Sequence, residues 1–308
     1  MKTVLVTGGS GFVGGHIIRQ LSERGHRVFA TMHRTALSDH VRAHCESVIR
    51  TDPSDPRNFL STLRHCDAVI HAAAYIPNEM TDLGQARACM EANAFNVMNL
   101  ANAAREADVG RFIYLSSAQV YARRPATIDT TARTEHSATC PGGHGAAYLT
   151  SKLVGETLAQ TALEGHGTTV ILRLGAVYGP GSNKGALGRF VAQAAQDEAL
   201  TVHGEGAARF TPVWVGDVAD LAERATMTGH GIYNVVGDEH VSVIEAAWAV
   251  KDRAERVYPG TKLAVTMQSA LPDGPTFPPI SNRKAVGDWG IRFTTVAEGL
   301  ARWMTPPP

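Results

Sequence analysis

A tyrosine and a lysine four residues apart are the side chains in this sequence best placed to do chemistry together. Tyr148 and Lys152 lie within a pattern of helical period, and a helix brings residues i and i+4 to one face. A neighbouring ammonium favours the phenolate and lowers the pKa of a tyrosine from about 10. The pair therefore predicts an acid–base group, and a strand pattern ending in Ser116 and Ser117 adds hydroxyls that can hold a substrate oxygen.

A second pair occurs at the same spacing, Tyr258 and Lys262. Pro259 and Gly260 lie between its ends and argue against a continuous helix. We therefore expect no shared helix face and assign this pair no chemistry.

Glycines follow the first apolar run of the chain, in the segment TGGSGFVGG. A side chain there would hold a pyrophosphate away from the backbone N–H groups and from the positive end of the following helix. The position between strand and helix predicts a dinucleotide-binding turn, although the spacing is GxxGxxG rather than GxGxxG. The residues expected to contact the cofactor are Gly8, Gly11, Phe12, Val13 and Gly14.

Short apolar runs alternate with helical periods through the first half of the chain. Strands are predicted at residues 3–7, 27–31, 47–49, 68–71, 112–116 and 170–174, and helices at 14–24, 57–63, 83–106 and 146–163. This alternation predicts a parallel sheet with helices on both faces, whose strand ends share one edge with the glycine turn. Beyond about residue 177, Gly- and Pro-rich turns separate shorter elements, with helices at 217–227, 242–257 and 294–304 and a strand at 232–236.

The overall charge gives no basis for binding a polyanion. The 308 residues include 29 Lys plus Arg and 29 Asp plus Glu, and 44% are hydrophobic against 19% charged. A globular protein is expected, and nucleic acid is not an expected partner because no basic field exists.

Neither a membrane segment nor a metal site is expected. No apolar run approaches about 18 residues and the N-terminus lacks a signal-peptide core, so we expect a cytoplasmic protein. The four cysteines match neither a disulfide scaffold nor paired CxxC motifs. His40 and His44 are four apart without the Glu of an HExxH motif.

Six segments together resemble the extended short-chain dehydrogenases/reductases of the NAD-dependent epimerase/dehydratase family. They are TGGSGFVG, DAVIHAAA, NAFNVMNLANAA, IYLSSAQVY, YLTSK and LRLGAVYGPG, and they extend from Met1 to about Val218. The resemblance implies an α/β protein with a Rossmann-type doubly wound parallel sheet and a smaller C-terminal substrate-binding lobe. The Rossmann domain would take residues 1–176 with 212–236 returning to it, and the lobe residues 177–211 and 237–308.

The resemblance also implies roles for single residues. Ser117 matches the catalytic serine, Tyr148 the proton donor or acceptor, and Lys152 the lysine that lowers the Tyr148 pKa and binds the nicotinamide ribose. Asn93 matches an asparagine close to the active site, with a helix cap as the alternative reading.

Further cofactor contacts follow from the same resemblance. Asp52 matches the acidic residue that contacts the adenine amino group, with an ordinary turn aspartate as the alternative. Ala72 and Ala73 match the turn that lines the cofactor, and we expect His71 beside them to serve packing.

The end of the second predicted strand favours NADP over NAD. NAD-binding proteins place a carboxylate there for the ribose 2′-OH, whereas this sequence has none between Glu23 and Asp39. Arg34 can instead bind a 2′-phosphate with help from His33, although an exposed arginine without a ligand is the alternative. NAD remains the second option.

A cofactor that is consumed suits a net reduction. We therefore expect an NADP-dependent reductase that transfers hydride to the carbonyl of a small ketone, aldehyde or deoxysugar intermediate, with Tyr148 as proton donor. A nucleotide-sugar epimerase or dehydratase is the alternative, although Ala118 and Gln119 stand where a dehydratase would carry Asp and Glu. A noncatalytic dinucleotide-binding sensor is the third candidate.

The sequence leaves the substrate unnamed. Ala176 replaces an Asn that sugar-nucleotide relatives use to bind the diphosphate, and Arg209 is displaced from their usual arginine motif. Candidate substrate contacts are Tyr75, Gln119, Tyr178 and Arg209. The long helices at 83–106 and 146–163 resemble those through which relatives dimerise, so a homodimer is one option.

Overall fold

The structure is a computed structural model, and it describes residues 1–55, 57–79, 82–121, 131–143, 145–258 and 260–306. The strands are β1 Thr3–Thr7, β2 Arg27–Met32, β3 Ser47–Arg50, β4 Ala68–His71, β5 Arg111–Ser117, β6 Thr168–Leu174, β7 Ala176–Tyr178, β8 Leu200–His203, β9 Arg209–Phe210, β10 Pro212–Trp214, β11 Gly231–Val235, β12 Val241–Ser242 and β13 Val265–Gln268. The helices are α1 Phe12–Glu23, α2 Asp39–Arg42, α3 Arg57–Leu63, α4 Ala86–Met90, α5 Asn96–Glu106, α6 Ala146–Leu163, α7 Gly185–Ala195, α8 Val215–Ala225, α9 Val243–Val257, α10 Arg283–Trp289 and α11 Val296–Trp303.

Seven strands form the central sheet, in the order β11-β6-β5-β4-β1-β2-β3. Neighbouring strands from β3 to β6 in this order pair in parallel. The strand order reverses direction between β1 and β4, and ligands of doubly wound sheets bind at such a point, outside the carboxyl ends of the strands. The predicted Rossmann-type α/β fold is confirmed.

Both faces of the sheet are buried, which explains why its strands are rich in branched apolar residues. One core contains Leu5, Val69, Phe112, Tyr114 and Ile171 together with apolar residues of α3, α5 and α6. The alternate residues of the same strands, including Val4, Val6, Ile70 and Ile113, point to the opposite face and are also fully buried.

The chain divides into two compact units. The first contains Met1–Ala122, Ala138–Leu174 and Val218–Tyr233, and the second contains Arg123–Ser137, Gly175–Asp217 and Asn234–Pro308. Within the second unit, α7, α9 and α11 share a core with Tyr178, Leu200 and Trp214.

The helix predicted at residues 83–106 is wrong as one regular helix. The structure has a 3-10 turn at Leu83–Gln85, then α4, a π-helical turn at Glu91–Phe95, and α5. A π turn inserts a residue into the i→i−4 pattern and is frequent at functional sites. Apolar spacing alone does not reveal such an insertion.

No helix in the described part of the chain has the length and hydropathy needed to cross a bilayer. Likewise, the described residues contain no group of three or more His, Cys, Asp or Glu side chains placed to hold a metal ion. The rings of His40 and His44 contact each other edge to face, with their centroids 5.4 Å apart.

Candidate active site

The glycine turn after β1 is too tight for side chains at two of its positions. Gly8 has φ of +73°, and a Cβ there would lie 2.5 Å from the backbone nitrogen of Ala73. A Cβ on Gly14 would lie 2.2 Å from the carbonyl oxygen of Gly8, while the Gly11 N–H donates to that oxygen at 2.9 Å. The glycines therefore fold the turn back on itself and against the loop after β4.

This turn opens α1 in a way that suits a pyrophosphate. Gly11 is the N-cap and has no side chain to accept from the first-turn N–H groups, where Phe12 and Val13 lie. Those donors and the positive end of a twelve-residue helix are what a dinucleotide pyrophosphate requires. The residues present fit a nicotinamide dinucleotide.

The residues proposed to select the cofactor lie at the end of β2. The side chains of His33 and Arg34 are exposed, and the His33 Nδ1 atom is 3.0 Å from the carbonyl oxygen of Thr51. In the part of the chain that the structure describes, Arg34 has no hydrogen bond or ion pair, so its guanidinium is available to an anion.

Asp52 forms a local turn. Its Oδ1 atom accepts from the Ser54 N–H at 2.9 Å and from the Ser54 hydroxyl at 2.8 Å. These hydrogen bonds lower the pKa of the Asp52 carboxyl. The structure thus shows the turn geometry that was the alternative reading of Asp52.

A threonine and a histidine join the ends of β1 and β4. The Thr7 hydroxyl lies 2.8 Å from His71 Nδ1 and accepts from the Ala73 N–H at 3.3 Å. Burial, followed by the charge of Lys152, lowers the pKa of His71 to about 3. His71 is therefore neutral at physiological pH, and its buried Nε2 atom has no hydrogen-bond partner among the described residues.

The next contacts lead from His71 to Lys152. The His71 ring stacks on Tyr114 of β5, with centroids 5.8 Å apart and planes 25° apart. The Lys152 Nζ atom lies 4.3 Å from the centre of the same Tyr114 ring. A continuous line of contacts therefore runs from the glycine turn through Ala73, Thr7, His71 and Tyr114 to Lys152.

Lys152 carries its amine into a dry environment. The residue is 2% exposed, and burial lowers the pKa of Lys152 to about 7 against an opposing effect of Glu156. An amine that titrates near neutrality is unusual for lysine and marks functional sites more often than others.

We expected Lys152 to lower the Tyr148 pKa, whereas burial raises the Tyr148 pKa in this structure. The partly buried Tyr148 phenol loses water, and this desolvation, with a smaller effect of Cys89, raises the pKa of Tyr148 to about 12. Desolvation disfavours the phenolate, and Lys152 is not among the groups that act on it. Tyr148 is therefore a neutral phenol at physiological pH.

Asn93 lies in the π-helical turn and is completely buried. Its side-chain oxygen accepts from the Tyr75 N–H at 2.8 Å, and its amide nitrogen donates to the Tyr75 carbonyl at 2.9 Å and to the Ser151 hydroxyl at 3.1 Å. The Ser151 hydroxyl donates in turn to the Tyr148 carbonyl at 2.7 Å. Asn93 is therefore not a helix cap; it ties the loop after β4 to the turn of α6 that carries Tyr148.

The close approach of this π turn depends on a glycine of α6. A Cβ at Gly155 would lie 2.3 Å from the Asn93 carbonyl oxygen and 2.6 Å from the Tyr114 hydroxyl. That hydroxyl donates to the Asn93 carbonyl at 3.0 Å. Gly155 thus lets α6, β5 and the π turn meet.

The two serines at the end of β5 have different partners. The Ser117 hydroxyl accepts from the Gln119 N–H at 3.2 Å and caps a short 3-10 turn, and the Gln119 side chain is partly buried. The Ser116 hydroxyl donates to Glu156 Oε1 at 2.5 Å. No hydrogen bond among the described residues joins Ser117, Tyr148 and Lys152 directly.

Of the predicted substrate contacts, Tyr75 lies within this first unit. Its backbone is held by Asn93, and its hydroxyl donates to Gln85 Oε1 at 3.0 Å. The ring is partly buried. Tyr75 is therefore held close to the line of contacts just described.

Tyr178 and Arg209 belong to the second unit, where both side chains have protein partners. Tyr178 is 2% exposed, packs edge to face on Trp214, and donates its hydroxyl to the Thr295 carbonyl at 3.1 Å. Arg209 pairs with Glu245 at 3.3 Å and also donates to the His240 carbonyl. Their roles as substrate contacts stay predictions.

Several site residues escaped the sequence analysis. The sequence features that could have identified these residues are weak. They are a Glu four residues after Lys152, an Arg inside an apolar strand, and polar residues within strands or within a helix. The residues are Thr7, Tyr114, Ser151, Glu156 and Arg173.

Comparison with known proteins places the chain in one family. The model of the NAD dependent epimerase/dehydratase family matches residues 4–235. A dTDP-4-dehydro-6-deoxy-D-allose reductase from Streptomyces sp. is 34% identical over 278 residues, which are 83% of this chain and 83% of that protein. The protein of the same description from Streptomyces bikiniensis is 34% identical over 282 residues, with 83% of each chain covered.

A solved structure agrees with this assignment. The Bordetella bronchiseptica enzyme WbmH in complex with NAD+ superimposes with a TM-score of 0.78 at 26% identity, covering 99% of this chain and 97% of that one. The glycine turn, the Tyr148–Lys152 helix and the parallel sheet are thus found in a chain that belongs to the NAD-dependent epimerase/dehydratase family of extended short-chain dehydrogenases/reductases, enzymes that depend on NAD or NADP.

Proposed function

We propose that this chain is an NADPH-dependent reductase of a keto group in a deoxysugar intermediate. Tyr148 would donate the proton to the carbonyl oxygen, Ser117 would hold that oxygen, and Lys152 would fix the cofactor ribose. The observation that carries the proposal is the line of contacts from the glycine turn to Lys152, because it connects the dinucleotide cradle with the candidate acid–base helix.

The relatives support a reductase acting on a sugar. Two relatives that share 34% of residues with this chain over most of its length are described as dTDP-4-dehydro-6-deoxy-D-allose reductases. We therefore narrow the substrate from any small ketone to a nucleotide-activated 4-keto-6-deoxyhexose. We assign its binding to the proposed lobe of residues 177–211 and 237–308.

The protonation state of Tyr148 suits the direction of reduction. A proton donor must carry its proton at the working pH, and burial keeps the phenol neutral by raising the pKa of Tyr148 to about 12. Ser117 lies at the end of β5 with its hydroxyl oxygen accepting from Gln119, so its own proton remains available to a substrate oxygen.

The charge at the end of β2 supports NADPH over NADH. A bound nicotinamide dinucleotide supplies the hydride for the carbonyl carbon. Arg34 offers an exposed guanidinium for a 2′-phosphate. The sequence has no carboxylate between Glu23 and Asp39 that would repel such a phosphate.

The test follows NADPH absorbance on addition of a dTDP-4-keto-6-deoxyhexose, with simple ketones and aldehydes as comparison substrates. We expect one NADPH to be oxidised for each nucleotide sugar reduced. We also expect kcat/KM for NADPH to be higher than kcat/KM for NADH. Formation of an epimer without net NADPH consumption would replace the reductase with the epimerase alternative. Turnover of simple ketones alone would overturn the sugar assignment.

A further inference from the structure

The buried amine of Lys152 lies over the aromatic ring of Tyr114. The Lys152 Nζ atom lies 4.3 Å from the centre of the Tyr114 ring, within the range in which the negative face of an aromatic ring attracts a cation. Both residues are essentially inaccessible to water, which strengthens such a contact.

Among the described residues, the acidic group that acts on Lys152 is Glu156, which is already engaged by another cation. Glu156 binds Arg173 in two places, Oε1 to Nε at 3.0 Å and Oε2 to Nη2 at 2.7 Å. Its Oε1 atom also accepts from the Ser116 hydroxyl. These partners occupy both carboxylate oxygens, and the Glu156 charge still opposes the lowering of the Lys152 pKa by burial.

The remaining polar groups around Lys152 give it no negative charge at neutral pH. His71 on β4 is a neutral imidazole, and Tyr148 on its own helix is a neutral phenol. Burial raises the pKa of Tyr114 itself well above its ordinary value, so this ring is a neutral phenol too. The ring face therefore supplies an attraction to a protonated Lys152 in addition to that of Glu156.

The Tyr114 ring is also held rigidly. Its hydroxyl donates to the Asn93 carbonyl at 3.0 Å, the His71 ring stacks on it, and Gly155 leaves room for the hydroxyl against α6. A fixed ring can fix the amine that lies over it.

We propose that Tyr114, in the middle of β5, is the positioning residue of Lys152, holding the ammonium over its ring face and favouring the charged form. Nothing in this role requires Tyr114 to touch a substrate or cofactor. Its catalytic consequence rests on the proposed function, in which Lys152 binds the cofactor ribose, but the contact itself does not.

The chain offers a direct readout because it contains six lysines. In protein labelled with 13C at the lysine ε-carbons, six signals report six amines, and the signal lost in Lys152→Met identifies Lys152. Titration of this signal in the unliganded protein gives the pKa of Lys152 without any assay of activity.

Two substitutions separate the ring from the hydroxyl. In Tyr114→Leu, which removes the ring, we expect the Lys152 pKa to fall by about one pH unit. In Tyr114→Phe, which keeps the ring but loses the bond to Asn93, we expect the Lys152 pKa to stay close to that of the unmodified protein. Phe112→Leu is the matched control, since Phe112 lies on the same face of β5, is equally buried and also stacks on His71, at 6.4 Å.

Fluorinated phenylalanines at position 114 keep the shape of the ring while weakening its negative face, so they test the proposal even where Tyr114→Leu does not fold. We expect the Lys152 pKa to fall stepwise as fluorine atoms are added. A pKa that is insensitive to fluorination, or an equal fall in Tyr114→Phe and Tyr114→Leu, would overturn the proposal.

Activity assays then separate the two proposals. If the reductase assignment holds, we expect Tyr114→Leu to raise the KM for NADPH more than it lowers kcat. In Tyr114→Phe we expect the KM for NADPH to stay close to that of the unmodified protein. If no reductase activity is found, the titration still decides whether Tyr114 positions Lys152.

Discussion

Glu156 and Arg173 form a two-point ion pair within the first unit, directly behind the end of β5. The side chains are 4% and 5% exposed, and the shorter contact is 2.7 Å. The Ser116 hydroxyl and the Tyr121 ring complete the surroundings, the latter with its centre 5.0 Å from the guanidinium carbon. The pair therefore fixes the last residues of β5 to α6 and β6, and with them the backbone that presents Ser117.

Removing one partner of this pair leaves the other charge buried without compensation. For Arg173→Met we expect a loss of about 3–5 kcal/mol in the free energy of unfolding, measured by urea denaturation. The double variant Arg173→Met, Glu156→Leu should recover part of that loss because no buried charge remains. Arg256→Met, which breaks an ion pair with side chains 71% and 61% exposed, should change stability by less than about 1 kcal/mol. A loss no larger than that of the Arg256 control would contradict the role given to the pair.

The glycine turn gives a second prediction. An alanine is normally favoured inside a helix by about 1 kcal/mol, but the Cβ of Gly14→Ala would lie 2.2 Å from the Gly8 carbonyl oxygen. We expect lower thermal stability and weaker binding of the dinucleotide, measured by calorimetry. Gly110→Ala is the control, since the nearest atom to its added Cβ is 3.8 Å away. Equal thermal stability and equal dinucleotide binding of the two variants would show that the glycine turn can move to accommodate a Cβ at position 14.

The sequence predicted the sheet well because each strand carries a strong local signal. The segments Thr3–Thr7 and Ala68–His71 have the predicted bounds, as does the helix Ala146–Leu163. Buried parallel strands need continuous branched apolar residues, and glycine or a polar residue ends each of them. The alternation with helices predicted parallel pairing, but it does not determine the order of the strands.

The second unit was harder to predict, for a physical reason. Strands of two to four residues, such as Arg209–Phe210 and Val241–Ser242, bury too few side chains to produce a readable period. The helix Gly185–Ala195 was missed because its start lies in a glycine-rich segment. Tyr178 shows the same limit, because an aromatic residue at the end of a short strand has the same sequence pattern whether it faces a ligand or the Thr295 carbonyl.

Within the candidate site, the sequence identified residue types but not their electrostatics. Spacing placed Tyr148 and Lys152 on one helix, yet desolvation changes both of their pKa values in the direction of the neutral form. Burial depends on how α6 packs on β5, which no local pattern reports. The partners of Glu156 and Tyr114 were hidden for the same reason.

The cofactor preference is tested at Arg34. Because this side chain is exposed and has no partner among the described residues, Arg34→Ala should leave thermal stability unchanged. We expect kcat/KM for NADPH to fall about tenfold to a hundredfold relative to NADH, the worth of a charge-assisted phosphate contact. Arg42→Ala, an exposed arginine of α2, is the control. If the ratio of kcat/KM for NADPH to kcat/KM for NADH is unchanged in Arg34→Ala, the argument for NADPH is removed.

The proton donor is tested by Tyr148→Phe. Loss of a positioned acid is expected to lower kcat for ketone reduction by about 10²–10⁴, with NADPH binding retained in fluorescence titrations. Tyr258→Phe alters the tyrosine of the other pair with this spacing and should leave kcat unchanged. Full activity of Tyr148→Phe would transfer the donor role to another group.

Lys152 links function to stability through its proton. With a pKa of about 7 in the folded protein and its ordinary value of 10.5 when unfolded, the amine holds fewer protons in the folded state between these values. The stability of the unmodified protein therefore contains a contribution that is fully present above pH 10.5 and is lost as pH falls toward 7. Lys152→Met lacks this loss, so we expect it to be more stable by about 3–5 kcal/mol at pH 6, with the difference shrinking as pH approaches 10. Urea denaturation at several pH values measures this stability difference, with Lys262→Met at an exposed lysine as control. If the stability difference between Lys152→Met and the unmodified protein grows with pH, the buried amine stabilises the fold.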